Sequence, residues 1–518
     1  MRRLSNFILL TALVAFGLTG ARAQDTPIPA GNQEPDTSGQ QQAPVPAFGQ
    51  EGSDMPISEN PPLSGIDLPS LEPHAAPLSY IQPGATVSES ADTNATNTPG
   101  YSSTRSVTRA LGSLDLHRLW SHYDLALEYI GGVGYYNIKG LGFTDMQQAS
   151  VDQKINWKRG SLSLRDSFSY LPEGNFGGAY GALGSQGISS LGTTAFGSFW
   201  GGTALGALGF TPRIMNVSLA DLQESLSPKS AITITGGYAI THFYDSQYSS
   251  SSFIGSSQAS FQAAYNRSVT SHTQLALVYG YQAFDFSVSG TAFHTHVIEG
   301  LYGHRISGRM DLLLGAGPQL TFIDNQSAVC SDPTVSILIC QFVGDTLGSA
   351  TVKNTKVGVA AQGRLRYHFP KASLMLSYER FQTSGSGIFA GAQTDIVRLN
   401  LSRPLTRKLT GFVDAGFSRN QRVQPLTVQQ VEGCTGTQPS NSNNACPANN
   451  ATSYDYGFVG FGLHRAFGRT FHGYVSYQFN ELAFDNSYCL ASGGCSRISN
   501  RQIINFGLDW TPRPIRID

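Results

Sequence analysis

Residues 357–369 read VGVAAQGRLRYHF, and this stretch decides the fold class of the chain. Apolar or aromatic side chains alternate with small or polar ones along most of its length. An alternation of period two places the two sets on opposite faces of a β-strand. The apolar set is Val357, Val359, Ala361, Leu365, Tyr367 and Phe369, and the other set is Gly358, Gln362, Arg364, Arg366 and His368.

The same alternation recurs many times after about residue 105. It is clear in residues 123–129, 274–282, 397–402 and 504–510. No segment of comparable length carries the 3.6-residue stripe of an amphipathic helix. This part of the chain is therefore predicted to be all-β.

Short and long connections alternate between the predicted strands. The short ones lie around residue 121 and at 158–160, 227–230, 269–271, 306–308, 370–371, 404–407 and 466–469. The long ones include 172–212, 323–353, 421–452 and 483–498. A soluble β-sandwich also has alternating strands, but it explains neither this regular short and long pattern nor strands about twice the usual soluble length. A transmembrane barrel explains both.

Residues 105–518 resemble a porin-like outer-membrane β-barrel of Gram-negative bacteria. The last strand, Asn505-Phe506-Gly507-Leu508-Asp509-Trp510, resembles the C-terminal signal that the barrel-assembly machinery recognises, although Pro512 and seven further residues follow Trp510. The resemblance implies a location in the outer membrane, contact with its lipid, and the homotrimers that are usual for porins. It indicates no particular channel.

The strand count supports an even-numbered barrel. The alternation gives 17 strand candidates, and bacterial single-chain barrels have even numbers of strands. Residues 77–90 supply an eighteenth candidate, which Pro83 weakens. The predicted fold is a transmembrane antiparallel up-and-down barrel of about 18 strands, with 16 as the alternative.

The N-terminal part of the chain has a different composition. Residues 1–23 form a predicted signal peptide, with Arg2 and Arg3 before an apolar stretch and a small-x-small cleavage site. Residues 24–104 form a predicted disordered leader, since residues 24–100 hold 13 of the 25 prolines, ten acids and no Lys or Arg. After residue 23 no apolar run approaches the 18 residues of a membrane helix.

Composition and cysteine placement limit the partners and the compartment that the sequence allows. Only 13% of the 518 residues are charged and the net charge is -1, so no electrostatic argument favours a nucleic-acid partner. The six cysteines fall in three local pairs on the long-connection side, and they are predicted to form loop disulfides in an oxidising compartment. Metal ligation is the alternative, but the C-x2-C spacing is missing. The pairs are Cys330-Cys340, Cys434-Cys446 and Cys489-Cys495.

Barrels of this size enclose a water-filled lumen, so the polar face of each strand is predicted to line a pore. Charges there are solvated, whereas Arg or Lys at mid-depth on the lipid face costs about 2–4 kcal/mol. The charges on the lumen face either create an electric field that selects ions, or are simply the charged residues that any water-filled lumen contains. The candidates are Asp152, Lys154, Arg165, Arg309, Asp311, Arg364, Arg366, His368, Glu379, Arg398, Asp414 and Asp509.

The connection 172–212 is predicted to fold inward and narrow the pore, with a mobile surface loop as the alternative. It has 12 glycines, six aromatic residues and one charge in 41 residues. Glycine allows an irregular, closely packed backbone, and the aromatic side chains favour a sheltered site.

The sequence therefore predicts a porin-like passive diffusion channel for small hydrophilic solutes, without a cofactor or resident metal. A surface adhesin or assembly barrel that uses the disulfide-tied loops is the alternative. An outer-membrane enzyme is a weaker one, suggested only by His294 and His296 with Glu299 nearby. The catalytic motifs HExxH and GxSxG are missing from the sequence, so the protein is not expected to be an enzyme.

Overall fold

The computed structural model shows a single closed β-sheet. Among the described residues, no helix is long and apolar enough to cross a membrane. The structure describes residues 79–95, 97, 99–100, 102–137, 142–173, 210–244, 253–286, 292–330, 347–369, 372–385, 387–423, 451–489 and 496–517.

Eighteen long strands form the wall, and a short strand follows the last of them. In chain order the wall consists of β1 (Tyr80–Asp92), β2 (Arg105–Leu119), β3 (Tyr123–Tyr136), β4 (Gly142–Trp157), β5 (Gly160–Glu173), β6 (Phe210–Ser227), β7 (Ser230–Phe243), β8 (Ser256–Ser268), β9 (Thr273–Phe286), β10 (Ala292–Ser307), β11 (Met310–Cys330), β12 (Leu347–Phe369), β13 (Ala372–Thr383), β14 (Ala392–Thr406), β15 (Leu409–Arg422), β16 (Ser453–Ala466), β17 (Phe471–Phe484) and β18 (Ile498–Trp510). The short strand β19 (Ile515–Arg516) ends the fold, and a 3-10 helix, Asn486–Cys489, precedes β18.

Each strand pairs antiparallel with its neighbours in sequence, and β1 pairs with both β2 and β18, which closes the barrel. We call the contact between β1 and β18 the seam, and the residues after Trp510 extend it. Ile515 pairs with Ile81, and the Gln82 side-chain amide donates to the Pro512 carbonyl at 2.9 Å. Since proline has no N–H to donate to a ladder, Pro512 separates β18 from β19 without ending the pairing with β1.

The two faces of the sheet differ in chemistry as the alternation predicted. Large apolar side chains such as Leu277, Val357 and Phe506 are exposed on the outer face, where lipid covers them. Polar side chains such as Thr235, Gln282 and Asn505 lie buried on the inner face. This arrangement, with an apolar exterior and a polar interior, is that of a membrane-spanning barrel.

The all-β prediction and the count of 18 strands are confirmed. The first strand, predicted near 77–90, is β1, so the wall begins at Tyr80. One end of the barrel carries tight turns, such as that between Trp157 and Gly160, and the other carries the long connections. Tight turns are periplasmic in outer-membrane barrels, so we call these the inner and outer ends.

Candidate functional site: the lumen of the barrel

Acidic side chains gather at the inner end of one side of the lumen. Asp115 on β2, Asp124 and Glu128 on β3, and Asp509 on β18 all point inward, because they share the parity of buried residues on their strands. His117 Nε2 lies 2.6 Å from an Asp124 carboxylate oxygen, and Thr86 donates to Asp509 at 2.8 Å. We call this region the acidic wall.

Arginines gather at the inner end of the opposite side. Arg364 and Arg366 alternate on the inward face of β12, and Arg366 pairs in register with Asp311 of β11. The Arg305 guanidinium of β10 lies 3.6 Å from the same Asp311 carboxylate. We call this region the basic wall. In a closed sheet of 18 strands, β11 and β2 stand half a circumference apart, so the two walls face each other across the lumen.

Two further arginines form ion pairs on the lumen face between these walls. Arg165 of β5 lies 3.0 Å from Asp152 and 3.6 Å from Asp221, which bridges three neighbouring strands. Arg398 of β14 donates to both carboxylate oxygens of Asp414 at 3.1 and 2.8 Å. These pairs hold charges of both signs against the wall.

The remaining predicted pore-lining residues have varied positions. Lys154 shares the inward parity of Asp152 near the inner end of β4 and is exposed. His368 and Glu379 are half-buried on the inward faces of β12 and β13. Arg309 lies outside the strands, in the exposed turn between β10 and β11. The sequence assigned Arg309 to a strand because it stands two residues before Asp311, but β11 begins only at Met310.

At the outer end, the hairpin of β13 and β14 leaves the wall and enters the lumen. β12 pairs with β11 from Leu347 to Tyr367, but with β13 only from Ala361 to Phe369. Beyond Ala361, the Gln382 side chain donates to Thr321 at 2.7 Å and accepts from Thr295 at 2.9 Å. Both threonines line the lumen on β10 and β11, so the end of β13 crosses in front of β12.

The tip of this hairpin, whose described residues are 384–385 and 387–391, is the centre of an apolar layer. Phe389 is fully buried, with its ring centroid 5.3 Å from that of Tyr454 and the Arg422 guanidinium 4.7 Å from the ring. Ile388 belongs to the same cluster. The cluster also contains Tyr456, Leu482, Phe484 and Tyr488 from one side of the barrel and touches Met215, Phe243 and Phe253 from the other.

A second apolar cluster continues the layer toward β9, β10 and β11. Phe284 and Phe293 stack with their ring centroids 4.5 Å apart, and Ala390 of the hairpin tip packs against this cluster. Its other members are Phe286, Ile323, Val423 and Ile254. The two clusters together, which we call the outer layer, reach across the lumen from β6 and β7 to β16 and β17.

Glycine is required where the hairpin tip touches the far wall. Gly387 has φ of +79°, and a Cβ atom there would lie 2.6 Å from the Phe243 ring. Gly391 has φ of +88°, and a Cβ atom there would lie 2.3 Å from the Phe293 ring. Backbone hydrogen bonds fix the same contact, since Ile254 N–H donates to the Gly387 carbonyl at 2.8 Å. Both the conformation and the close approach exclude larger residues.

Asp485, just beyond β17, ties the outer layer to the start of β16. Its carboxylate accepts from the Thr452 N–H at 2.8 Å, from the Ser453 N–H at 2.7 Å, and from the hydroxyls of Thr452 and Ser487. Burial acts to raise the pKa of Asp485, but these hydrogen bonds favour the charged form and together hold the pKa below its ordinary value.

A buried ion pair closes the seam near the outer end. Arg501 of β18 donates through Nε to both carboxylate oxygens of Asp92 at 3.1 and 2.9 Å, and through Nη2 at 2.5 Å. The two side chains are 1% and 4% exposed. Ser90 and Arg109 add a hydrogen bond of 2.8 Å beside it. No local sequence pattern points to this pair, since 409 residues separate its members.

The histidines considered for an enzyme do not form a site with Glu299. His294 and His296 lie on the lipid face of β10 among Tyr279, Tyr281 and Phe322, and the Tyr279 hydroxyl lies 2.9 Å from His296 Nδ1. Glu299 lies on the opposite, lumen face, where Gln362 donates to it at 2.8 Å. Among the described residues, no group of three His, Cys, Asp or Glu side chains could hold a metal ion.

Several predictions lie outside the described residues. These are the signal peptide, the leader before residue 79, and residues 174–209 of the connection predicted to narrow the pore. The described part contains the backbone of Cys330 and Cys489 but no cysteine side chain, so the three disulfides stay predictions. The inward-folding segment that the structure does describe is the tip of the β13–β14 hairpin, which no sequence pattern predicted.

Comparisons with known proteins give likeness of architecture only. No protein-family model matches the chain, and no curated protein matches it. Among solved structures it is similar to the ferric-catecholate import receptor Fiu from E. coli K12 in its open form, with a TM-score of 0.42, 8% identity, and 86% of this chain and 82% of that chain covered. It is similar to the outer membrane protein OpdK from Pseudomonas aeruginosa, with a TM-score of 0.38, 10% identity, and 83% and 98% covered. It is also similar to OprD from Pseudomonas aeruginosa, with a TM-score of 0.36, 9% identity, and 84% and 95% covered.

The class of the protein follows from the barrel itself. The sheet of 18 strands is closed, its exterior is apolar, its interior is polar, and tight turns alternate with long connections. A closed barrel of this kind is one of the two structures that can span a membrane. The chain is a porin-like outer-membrane β-barrel of the Gram-negative type.

Proposed function

We propose that this barrel is a passive diffusion channel for small hydrophilic solutes. The single observation that carries the proposal is the pair of opposed charged walls at the inner end of the lumen. A barrel of 18 strands is wide enough to hold water, and charges on its inner face are solvated. Solutes crossing that zone pass between the Asp115 and Glu128 side of the lumen and the Arg364 and Arg366 side.

The opposed walls favour solutes that carry charge or a dipole. Fixed charges on low-dielectric walls focus the electric field into the water between them. An ion is drawn to the wall of opposite sign, and a dipolar solute lowers its energy by lying across the lumen. The ion pairs at Arg305, Arg165 and Arg398 hold the neighbouring side chains against the wall and keep them out of the path.

The outer layer sets the size limit in this proposal. It lies across the same lumen, so a solute must pass beside it or displace the hairpin tip. Its buried phenylalanine and aliphatic side chains offer no hydrogen bonds to replace those that a polar solute loses, which raises the free energy of passage. We therefore infer that size selection occurs at the outer end and charge selection at the inner end.

Solute flux into proteoliposomes tests this function. The purified barrel is reconstituted, and swelling rates are measured for neutral sugars of increasing size and for amino acids of different charge. The expected result is a rate that falls steeply with sugar size and differs between charged amino acids of equal size. Folded barrels that give no swelling with any of these solutes would overturn the proposal.

A further inference from the structure

Five basic side chains lie on or beside two neighbouring turns at the inner end of the barrel. The turns join β14 to β15 and β16 to β17, and they lie against each other, since the Ala466 N–H donates to the Lys408 carbonyl at 2.9 Å. All five bases are exposed, and none of them contacts an acid within the described residues. We call this group the basic corner, and its members are Arg403, Arg407, Lys408, Arg465 and Arg469.

Two of these arginines lie on strands and face lipid. Arg403 shares the parity of Val397 on β14, and Arg465 shares that of Leu463 on β16, and both apolar residues are 41% exposed on the outer face. Arginine is tolerated on this face near a membrane interface, where its long side chain carries the guanidinium to the headgroups. The Arg465 guanidinium also lies 5.5 Å from the centroid of the Phe467 ring, and aromatic rings mark the interface. The basic corner therefore lies at the level of the inner-leaflet headgroups.

An apolar surface continues from the basic corner toward the middle of the membrane. Leu405 and Leu463 converge over Gly411, where an added Cβ atom would lie 3.3 Å from the first and 3.5 Å from the second. Phe467 covers Gly473, where an added Cβ atom would lie 2.5 Å from the ring. The three large side chains are 50%, 41% and 58% exposed, so acyl chains can lie on them while a headgroup meets the bases.

No acid of the same strands offsets the charge of the basic corner. Asp414 of β15 points into the lumen, where Arg398 binds it. The other acids of β14, β16 and β17 lie near the outer ends of their strands, and they are Asp395, Asp455 and Glu481. The positive charge at the inner end of these strands is therefore available to an anionic partner.

A second pair of neighbouring inner turns shows what is particular to the basic corner. The turns that join β4 to β5 and β6 to β7 also hold three exposed bases, Lys158, Arg159 and Lys229. No arginine faces lipid at the inner ends of these four strands, and the Glu224 carboxylate lies there, accepting from the Trp157 indole at 2.8 Å. Lipid-facing arginines without a neighbouring acid therefore distinguish the basic corner.

We propose that the basic corner binds a phospholipid with two phosphate groups in its headgroup, of the cardiolipin type, in the inner leaflet. The bases extend from β14 to the turn before β17, three strand spacings or about 14 Å, which is wider than one phosphate needs. Arginine binds phosphate oxygens through paired N–H groups, and clustered Lys and Arg favour anionic headgroups. The acyl chains of this lipid cover the apolar surface around Leu405, Leu463 and Phe467.

Native mass spectrometry of the folded full chain in detergent tests this binding. The protein is mixed with cardiolipin, phosphatidylglycerol or phosphatidylcholine at equal phosphate concentration, and the bound lipids are counted from the mass. The three lipids carry the same acyl chains, so differences between them come from the headgroup. The expected result is a one-to-one complex with cardiolipin that is about ten-fold more abundant than the complex with either of the other lipids.

Two matched triple variants locate the binding on the barrel. R403Q/R465Q/R469Q is expected to reduce the cardiolipin complex by about ten-fold or more, whereas K158Q/R159Q/K229Q, which removes three charges from the other pair of turns, should change it less than about two-fold. R403K/R465K/R469K keeps the charges and should keep most of the binding. All the replaced side chains are exposed, so each variant should still fold, which heating before gel electrophoresis verifies.

Four results would overturn the proposal. They are no cardiolipin complex with the full chain, equal binding of the three lipids, equal losses in the two glutamine variants, and displacement of cardiolipin by an equal concentration of inorganic pyrophosphate, which would indicate a site for free phosphate. Channel conductance is not part of this readout, so the result is independent of the function proposed above.

Discussion

The outer layer and the inner charged walls occupy the same lumen but are built in different ways. The walls are part of the sheet, since Arg364 and Arg366 simply alternate with lipid-facing residues on one strand. The outer layer depends on a hairpin that leaves the sheet and packs against strands on the far side. Strand alternation therefore places the charges of the lumen, whereas a local departure from the wall places the apolar layer across it.

The largest effect is expected from removing the hairpin tip from the layer. Replacing Ile388, Phe389 and Ala390 by glycine removes apolar side chains whose burial contributes about 1.5–3 kcal/mol for a residue of the size of Phe389. The tip then no longer packs across the lumen, and single-channel conductance should rise roughly two-fold or more. F467A is the control, because Phe467 is 58% exposed at an inner turn. Unchanged conductance in the triple variant would show that the layer does not limit flow.

The seam pair near the outer end should give the next largest effect, on stability. R501M leaves Asp92 buried without its ionic partner, which costs about 3–5 kcal/mol. Samples are heated to a series of temperatures before gel electrophoresis, in which folded and unfolded barrels form separate bands. The temperature at which the folded band disappears should be markedly lower for R501M. R165M is the control, because Arg165 and Asp152 are 32% and 42% exposed to the water of the lumen, where an ion pair contributes about 0–1 kcal/mol. Equal losses in both variants would contradict the role of the seam.

Charge reversal on the basic wall should change the ion selectivity of the channel without changing the width of its pore. The double variant R364E/R366E gives both sides of the inner lumen the same sign, so the reversal potential in a salt gradient should move toward cation preference. R309E is the control, because Arg309 lies in the exposed turn outside the strands. The expected shift in reversal potential is several-fold larger for R364E/R366E than for R309E. A shift of the same size in R309E would mean that surface charge, and not the lumen, sets selectivity.

Acid should loosen the outer layer through Asp485, which is the smallest effect. A carboxylate whose folded-state pKa is lowered contributes stability that is fully present above its unfolded value, about pH 4, and is lost as pH falls through the folded value. Recordings at acidic pH, as the pH falls below that unfolded value, should therefore show added high-conductance openings. D485N should show such openings at neutral pH, because the amide is a weaker acceptor for the Thr452 and Ser453 N–H groups. Identical pH profiles for D485N and the unmodified protein would exclude this role.

The wall of the barrel could be predicted from the sequence because its physical signal is local. Residues 357–369 alternate in the sequence, and in β12 Val357 and Val359 are exposed while Ala360 is buried. The even strand count also required the weak strand at Tyr80–Asp92. The residues after Trp510 depart from the C-terminal pattern expected of such barrels. In the structure they continue the pairing with β1, through the Pro512 carbonyl and Ile515.

The outer layer could not be predicted in the same way, because its contacts join distant segments. Phe389 is buried by Tyr454 and lies near Phe243, and no periodicity connects these positions. The available signal was the sequence Gly385-Ser386-Gly387-Ile388-Phe389, in which glycines flank large apolar residues in a connection. The longer glycine-rich connection at 172–212 was predicted to fold into the pore instead, because it holds more aromatic residues.

The passage of ions through the lumen, past the outer layer, is tested most directly by single-channel recording in planar bilayers. The purified mature protein and the variant with glycine at 388–390 are recorded in the same salt. We predict discrete conductance steps for both, with larger steps for the variant. Correctly folded barrels that give no steps in either form would contradict a channel, and equal steps in the two forms would contradict a size limit at the outer layer.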